Sequence, residues 1–191
     1  RVFHVGSLSL TDDPSRTATY EAINIARNSG AVISYDPNYR AALWSDPETA
    51  QLRMQSLIPY VDMMKISDEE TSLLTPYQDP EEAIQYLLRQ GVHLVAVTLG
   101  RDGALIGNEN GIVKAEGFSS HAVDTTGAGD SFWGGFLASY LQEETSPEHL
   151  TRAQMIQFGR VGNVVASLCV ERRGGISAIP EMEEIEERLR G

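Results

Sequence analysis

The sequence has one cysteine, Cys169, in 191 residues and no long apolar run. A single thiol cannot form an internal disulfide, which is typical of the reducing cytoplasm, where we expect this protein to be. No stretch approaches the roughly 18 consecutive apolar residues of a membrane-spanning helix, so we expect no membrane partner. The four histidines lie far apart without ligand spacing, which argues against a histidine metal site.

Two common nucleotide-binding motifs are also missing. Without GxxxxGK[ST] the chain is not a P-loop kinase or ATPase, and without GxGxxG a Rossmann dehydrogenase is disfavoured. Basic residues are scarce, with 15 Lys and Arg against 27 Asp and Glu and a net charge of −12. Such a surface repels nucleic acid, so we expect no nucleic-acid partner. A nucleotide can still bind where local N–H donors, cations or a metal offset the charge.

The remaining pattern alternates strands and helices over what we expect to be one domain, residues 1–191. Acid–proline pairs predict helix starts, and short apolar runs between them predict buried strands. This alternation predicts a mainly parallel sheet with helices on both sides. The predicted helix starts are residues 46–47 and 79–80, and the predicted strands are residues 31–35, 61–66 and 93–98. Residues 104–115, with an Asn-Gly turn, predict a later β-hairpin.

One stretch organises the rest: residues 124–130 read DTTGAGD. Apolar residues then recur at helical spacing, so the stretch is a small-residue turn that opens a helix, which we expect to end near Glu144. The missing Cβ atoms of Gly127 and Gly129 let an anion approach unpaired N–H groups. Asp130 beside such an anion suits a base that takes a proton from an alcohol attacking a phosphate. An ordinary acid at a helix start explains the same residues, and the motif alone does not decide.

Three further polar loops follow predicted strands: residues 36–40 (DPNYR), 67–70 (SDEE) and 98–103 (TLGRDG). Ligands of open α/β sheets bind at the carboxyl ends of the strands. With the central stretch as a fourth loop on the same edge, the pattern favours a binding site over a set of plain turns.

Together these residues resemble the DTxGAGDxF signature and supporting motifs of the ribokinase-like (PfkB) carbohydrate kinases. The supporting motifs are residues 36–40, Ser67 with Glu70, residues 98–103, and Asn163 ahead of residues 174–175. The resemblance implies a three-layer α/β/α, Rossmann-like fold with a mainly parallel sheet. It spans essentially the whole chain but only the nucleotide-binding, C-terminal part of the family's fold. The family's N-terminal sugar-binding region and β-sheet lid have no counterpart here, and the chain opens at Arg1 within a strand-like run, so we expect a fragment.

The resemblance also implies roles for individual residues. Asp130 is the expected catalytic base, and Gly127, Ala128 and Gly129 are the expected backbone anion hole for the transferring phosphoryl group. ATP is the expected cofactor, with Mg²⁺ ordered through water by Glu70; Ser67 stands where the family has Asn. The expected nucleotide- and substrate-binding residues are Thr98, Gly100, Gly103, Asn163, Ser67 and Arg40. The expected K⁺ site comprises Asp124, Thr126, Cys169, Arg172 and Gly174, although Ala178 stands where several members have serine.

The expected function is therefore ATP-dependent phosphorylation of a sugar hydroxyl. Residues 36–40 followed by Leu43 and Trp44 resemble the fructokinase branch most closely, which implies conversion of fructose to fructose 6-phosphate. A 2-keto-3-deoxygluconate kinase shares a similar stretch, and Arg40 suits a phosphate or a carboxylate. A nucleotide-binding module without sugar kinase activity is the alternative from another class. A homodimer of the intact protein is a further expectation.

Overall fold

The structure, a computed structural model of the chain, describes residues 1–190. Its six strands form one sheet in sequence order, and β1–β2 and β2–β3 are parallel pairs. The last two strands are neighbours joined by residues 109–110, which confirms the predicted hairpin; Gly111 of the Asn-Gly pair is already the first residue of the last strand, with φ 101°. The predicted mainly parallel α/β fold is confirmed. The strands are β1 (Val2–Gly6), β2 (Val32–Asp36), β3 (Met63–Ser67), β4 (Leu94–Thr98), β5 (Ala104–Asn108) and β6 (Gly111–Ala115).

The chain divides into two compact units. Unit 1 is Arg1–Val97 with Gly107–Glu109, and unit 2 is Thr98–Ile106 with the chain from Asn110 onward. The helices of unit 1 are α1 (Ser15–Asn28), α2 (Pro47–Gln55), α3 (Thr71–Leu74) and α4 (Pro80–Arg89). Those of unit 2 are α5 (Ala128–Tyr140), α6 (Arg152–Cys169) and α7 (Met182–Arg190).

Local side-chain chemistry explains where several helices begin. Asp46 accepts a hydrogen bond from the Thr49 N–H at 2.7 Å, and Asp79 accepts one from the Glu82 N–H at 3.0 Å. Each bond satisfies an N–H that the first helical turn leaves unpaired, and proline follows each aspartate where no N–H is needed. The predicted helix starts at residues 46–47 and 79–80 are therefore confirmed.

The predicted end of α5 is wrong by about one turn, because the helix stops at Tyr140 rather than near Glu144. Glu143 and Glu144 follow the helix end and are exposed. Negative charge is unfavourable at a helix C-terminus, where the last carbonyl groups already carry partial negative charge. The spacing of apolar residues carries no information about this charge effect, so it places the end of the helix too late.

Glycines bring α5 and α6 close together in unit 2. A Cβ on Gly162 would lie 2.7 Å from the Phe132 carbonyl oxygen, and one on Gly135 would lie 2.9 Å from Val165 Cγ2. Phe136 fills the adjoining space and contacts Phe158 edge-on, with ring centroids 5.8 Å apart. This packing fixes the direction of α5 and therefore of the turn at its start.

We expect Gly162→Ala to destabilise the protein by about 1–3 kcal/mol, because backbone rather than a flexible side chain blocks the new methyl group. Gly134→Ala is the matched control: it lies in the same helix pair with no atom within 4 Å of its Cβ position. It should stabilise the protein by up to about 1 kcal/mol through helix propensity. Denaturant unfolding of the full-length variants measures both, and equal stability of the two would contradict the close packing.

None of the helices within residues 1–190 is long and apolar enough to cross a bilayer.

Candidate functional site

The turn at the start of α5 has the geometry of an anion site. Gly127 is the N-cap residue with φ 79°, a left-handed conformation that glycine adopts without strain. Within residues 1–190 the N–H groups of Gly127 and Gly129 have no hydrogen-bond acceptor, whereas the Ala128 N–H donates to the Thr125 carbonyl at 3.2 Å. Free N–H groups and the helix dipole together favour a bound anion at this position.

Asp130 lies in the first turn of α5, directly after these glycines. The residue is exposed, and its carboxylate has no hydrogen-bond or ion-pair partner in the described chain. An acid that caps its own helix would accept a backbone N–H, and this one does not. The geometry therefore leaves Asp130 able to accept a proton from a ligand bound above the helix start.

Asp124 fixes the turn to the loop that follows α6. Its carboxylate accepts the Gly174 N–H at 3.0 Å and the Thr126 N–H at 2.9 Å. These donors lower the pKa of Asp124 from 3.8 to about 2. A Cβ on Gly127 would lie 3.2 Å from the Cα of Gly175, so the turn packs directly on this loop.

The low pKa of Asp124 predicts a pH dependence of stability. Its folded pKa lies below its unfolded pKa, so its contribution is complete above about pH 4–5 and is lost as the pH falls toward 2. We expect Asp124→Asn to be less stable than wild type at pH 6, with a difference that shrinks as the pH approaches 2. Urea unfolding across this range measures the difference, with Glu143→Gln at an exposed acid as control. A difference that does not change with pH would contradict the assignment.

The residues predicted to hold K⁺ lie together in unit 2. Cys169 is buried, with Sγ 3.8 Å from the Thr126 carbonyl oxygen, and the Cys169 carbonyl accepts the Arg172 N–H at 3.2 Å. The Arg172 side chain pairs with Glu184 of α7, one guanidinium bond being 3.2 Å long. Ala178 is buried and supplies no side-chain oxygen. A carboxylate and backbone carbonyl groups on adjacent segments suit a hard monovalent cation.

The loop after β4 packs on the end of β6. Gly103 has φ 92°, and a Cβ there would lie 2.1 Å from the Ala115 carbonyl oxygen; a Cβ on Gly117 would lie 2.1 Å from the Arg101 carbonyl oxygen. Asn163 of α6 is buried and donates to the carbonyl groups of Ala115 and Glu116 at 2.9 and 3.0 Å. Asn163 therefore holds the segment against which this loop rests. Gly100 lies in the loop itself, and Thr98 is the last residue of β4.

In unit 1 a buried ion pair joins the last residue of β2 to the middle of β3. Lys65 Nζ lies 2.9 Å from Asp36 Oδ2, and both side chains are less than a tenth exposed. The other oxygen of Asp36 accepts the Asn38 N–H at 3.0 Å, and Asn38 itself has φ 48°. The pair fixes the start of the loop formed by residues 36–40.

Glu70 binds the same loop from the other side. One carboxylate oxygen accepts the Tyr39 N–H at 2.8 Å, and the other accepts the N–H and hydroxyl of Ser67 at 2.8 and 3.0 Å. Glu70 is 9% exposed. Arg40 is exposed at the end of the loop, where Nη1 donates to the Tyr39 carbonyl at 3.1 Å.

Two features of these sites are not predicted by the sequence pattern. Gly117 lies in the extended segment that precedes residues 124–130, and its contact with Arg101 depends on tertiary packing. Lys65 falls in a predicted strand, although a lysine inside the apolar run of residues 61–66 is a signal that a buried acid pairs with it. Within residues 1–190 no three His, Cys, Asp or Glu side chains cluster to hold a metal.

Comparison with known proteins gives the family. The model of the pfkB family carbohydrate kinases matches residues 1–182. The chain belongs to the pfkB family.

Several plant proteins are similar in sequence to the chain. The chain is 35% identical over 193 residues to a probable fructokinase-4 of Arabidopsis thaliana and 34% identical over 192 residues to fructokinase-2 of Solanum lycopersicum. Each alignment covers 100% of this chain and 58% of the relative. The chain thus spans less than two thirds of the length of these relatives.

Solved structures give the same result. A fructokinase of Vibrio cholerae O395, bound to fructose, ADP and calcium, superposes with a TM-score of 0.90 at 32% identity, covering 98% of this chain and 60% of that one. An aminoimidazole riboside kinase of Salmonella enterica, complexed with aminoimidazole riboside and an ATP analogue, gives a TM-score of 0.88 at 26% identity. This match covers 100% of this chain and 63% of that one. The predicted ribokinase-like fold and the resemblance to the fructokinase branch of the pfkB family are confirmed.

Proposed function

We propose that the full-length protein transfers the γ-phosphoryl group of ATP to a sugar hydroxyl, converting fructose to fructose 6-phosphate. The observation that carries the proposal is the unpaired, exposed carboxylate of Asp130 beside the free N–H groups of Gly127 and Gly129. Fructokinase relatives at about a third identity over nearly the whole chain support fructose as the acceptor.

In this proposal the start of α5 holds the transferring group. The N–H groups of Gly127 and Gly129 bind its oxygens, and the Ala128 N–H joins them when it leaves the Thr125 carbonyl. Phosphoryl transfer needs little covalent help, so positioning and charge stabilisation supply most of the catalysis. Donors fixed by the helix start and by Asp124 need little rearrangement during the reaction.

Asp130 acts as the base. It accepts the proton of the sugar hydroxyl as the new oxygen–phosphorus bond forms and the bond to the β-phosphate oxygen breaks, which releases ADP. An alcohol is a weak nucleophile, and a positioned base contributes about 10²- to 10⁴-fold.

The nucleotide lies in unit 2 in this proposal. Thr98, Gly100 and Gly103 border it through their backbone, and Asn163 keeps the underlying segment in place. Mg²⁺ would be held as part of the Mg·ATP complex, because in such sites the substrate phosphates and several waters supply ligands of the ion. Glu70 does not fit as its direct ligand, since both carboxylate oxygens already accept N–H bonds.

We further propose that Asp124 and the backbone carbonyls of Thr126, Cys169, Arg172 and Gly174 bind K⁺. A fructokinase double mutant of Vibrio cholerae O395 with bound potassium gives a TM-score of 0.91 with this chain. A cation there would offset the negative charge of Asp124 beside the phosphoryl site.

A coupled ADP-release assay of the full-length protein with Mg·ATP tests the function. We expect the highest kcat/KM with fructose and higher activity in K⁺ than in Na⁺. The panel includes 2-keto-3-deoxygluconate, because the exposed guanidinium of Arg40 also suits a carboxylate. A preference for that sugar acid would replace fructose in the proposal. Nucleotide binding without any sugar-dependent turnover would favour a binding module instead.

A further inference from the structure

We infer that Glu70 is a positioning residue that ties the loop of residues 36–40 to the end of β3, and that it does not ligate Mg²⁺. This inference rests on the proposed function, because positioning matters for catalysis only if the loop contacts the substrate. The role that family resemblance implies for this acid, the ordering of Mg²⁺ through water, does not include holding this loop.

The hydrogen bonds of Glu70 support the first half of the inference. Three donors reach its carboxylate at 2.8–3.0 Å: the Tyr39 N–H on one oxygen, and the Ser67 N–H and hydroxyl on the other. Hydrogen bonds to a charged acceptor are stronger than neutral ones. The bond to Tyr39 joins two segments that lie 31 positions apart in the sequence, so it has a tertiary role beyond that of a local helix cap.

The environment of Glu70 supports the second half. A carboxylate has about four lone-pair directions, and three are used here. Each oxygen faces the positive end of an N–H dipole, which a Mg²⁺ ion at ligand distance would have to displace. Glu70 is also only 9% exposed, whereas Mg²⁺ keeps several waters and needs room for them.

The loop gains a second point of attachment from the buried pair of Asp36 and Lys65, 2.9 Å apart. Asp36 also accepts the Asn38 N–H, so the start of the loop is held by Asp36 and Lys65 while its end is held by the bond from Tyr39 to Glu70. Arg40, the last residue of the loop, is the one charged residue of the loop that is exposed. Glu70 therefore acts by holding Arg40 where a substrate can meet it.

Glu70→Gln tests the inference with Glu69→Gln as the matched control. Glu69 lies on the same short 3-10 turn but is exposed. Glutamine has one side-chain oxygen, so it can accept a hydrogen bond from Tyr39 or from Ser67 but not from both. Its NH₂ group then faces the N–H donor that has lost its acceptor. Ser67→Ala, which removes only one of the three donors, is the conservative variant if Glu70→Gln does not fold.

The first readout is tryptic cleavage after Arg40 in the full-length protein, followed by mass spectrometry, and it does not depend on activity. We expect Glu70→Gln to raise the rate about tenfold or more, and Ser67→Ala to raise it less, with Glu69→Gln at the wild-type rate. An unchanged rate in Glu70→Gln would overturn the positioning role even if the protein proves to have no kinase activity.

The second readout is the Mg²⁺ concentration that gives half-maximal sugar-dependent turnover. We expect it to stay within about twofold of wild type in Glu70→Gln while the KM for the sugar rises, since loss of even an outer-shell partner of a metal costs about 10- to 100-fold in metal affinity. A tenfold rise in the Mg²⁺ requirement would overturn the inference. Absence of turnover in wild type would instead contradict the proposed function and leave the cleavage result to decide the role of Glu70.

Discussion

We expect Asp130→Asn to lower kcat of the full-length protein by about 10²- to 10⁴-fold and to leave ATP binding nearly unchanged. Asparagine keeps the shape of the side chain but cannot accept the proton of the attacking hydroxyl. Because the Asp130 carboxylate has no partner within residues 1–190, its replacement breaks no contact that holds the fold. Removal of a negative charge beside the phosphates should, if anything, strengthen nucleotide binding.

Steady-state kinetics and calorimetric ATP titration separate the two effects. Glu183→Gln is the matched control, since Glu183 is also an exposed acid in the first turn of a helix of unit 2. It should change neither kcat nor ATP affinity. Turnover near the wild-type rate in Asp130→Asn would show that Asp130 is an ordinary first-turn acid and not the base.

Gly103→Ala should have the second large effect, on both stability and nucleotide binding. The new Cβ would lie 2.1 Å from the Ala115 carbonyl oxygen, and the backbone would stay at φ 92°. We expect a loss of about 3 kcal/mol or more in the free energy of unfolding. ATP affinity should fall as well, because the loop displaced by the methyl group contains Gly100 and is connected to Thr98 at the end of β4.

Two further substitutions show whether collision or backbone strain causes the loss. Gly30→Ala has a similar φ of 75° but no atom within 4 Å, so it should cost only about 1–2 kcal/mol. In Gly117→Ala the new Cβ would lie 2.1 Å from the Arg101 carbonyl oxygen, on the other side of the same contact between loop and strand. This variant should therefore reproduce the loss of stability. A Gly103→Ala variant no less stable than Gly30→Ala would contradict the close contact of loop and strand.

Features set by neighbouring residues can be predicted from the sequence. The N-cap acids Asp46 and Asp79, the hairpin of β5 and β6 and the glycine-rich start of α5 are all local, and each lies where the pattern predicts it. The sequence also contains the whole family motif, so the position of Asp130 at a helix start follows from its neighbours in the chain.

Features set by distant residues cannot be predicted in this way. Gly103 and Gly117 lie 14 positions apart with nothing in either segment to show that they meet. Asn163 matches a family position, but its bonds to Ala115 and Glu116 depend on how α6 packs. The bond from the Tyr39 N–H to Glu70 likewise joins two separate segments, and family resemblance gives Glu70 only a water-mediated contact with Mg²⁺.

The most direct test of the central claim is a crystal structure of the full-length protein with fructose, ADP, Mg²⁺ and aluminium fluoride, which mimics the transferring group. We predict fluoride atoms at about 2.7–3.1 Å from the N–H groups of Gly127 and Gly129. The same structure should place an Asp130 carboxylate oxygen about 2.6–3.2 Å from the reacting sugar hydroxyl. Fluoride bound away from the start of α5 would contradict the anion site, and a hydroxyl that faces another residue would contradict the role of Asp130 as the base.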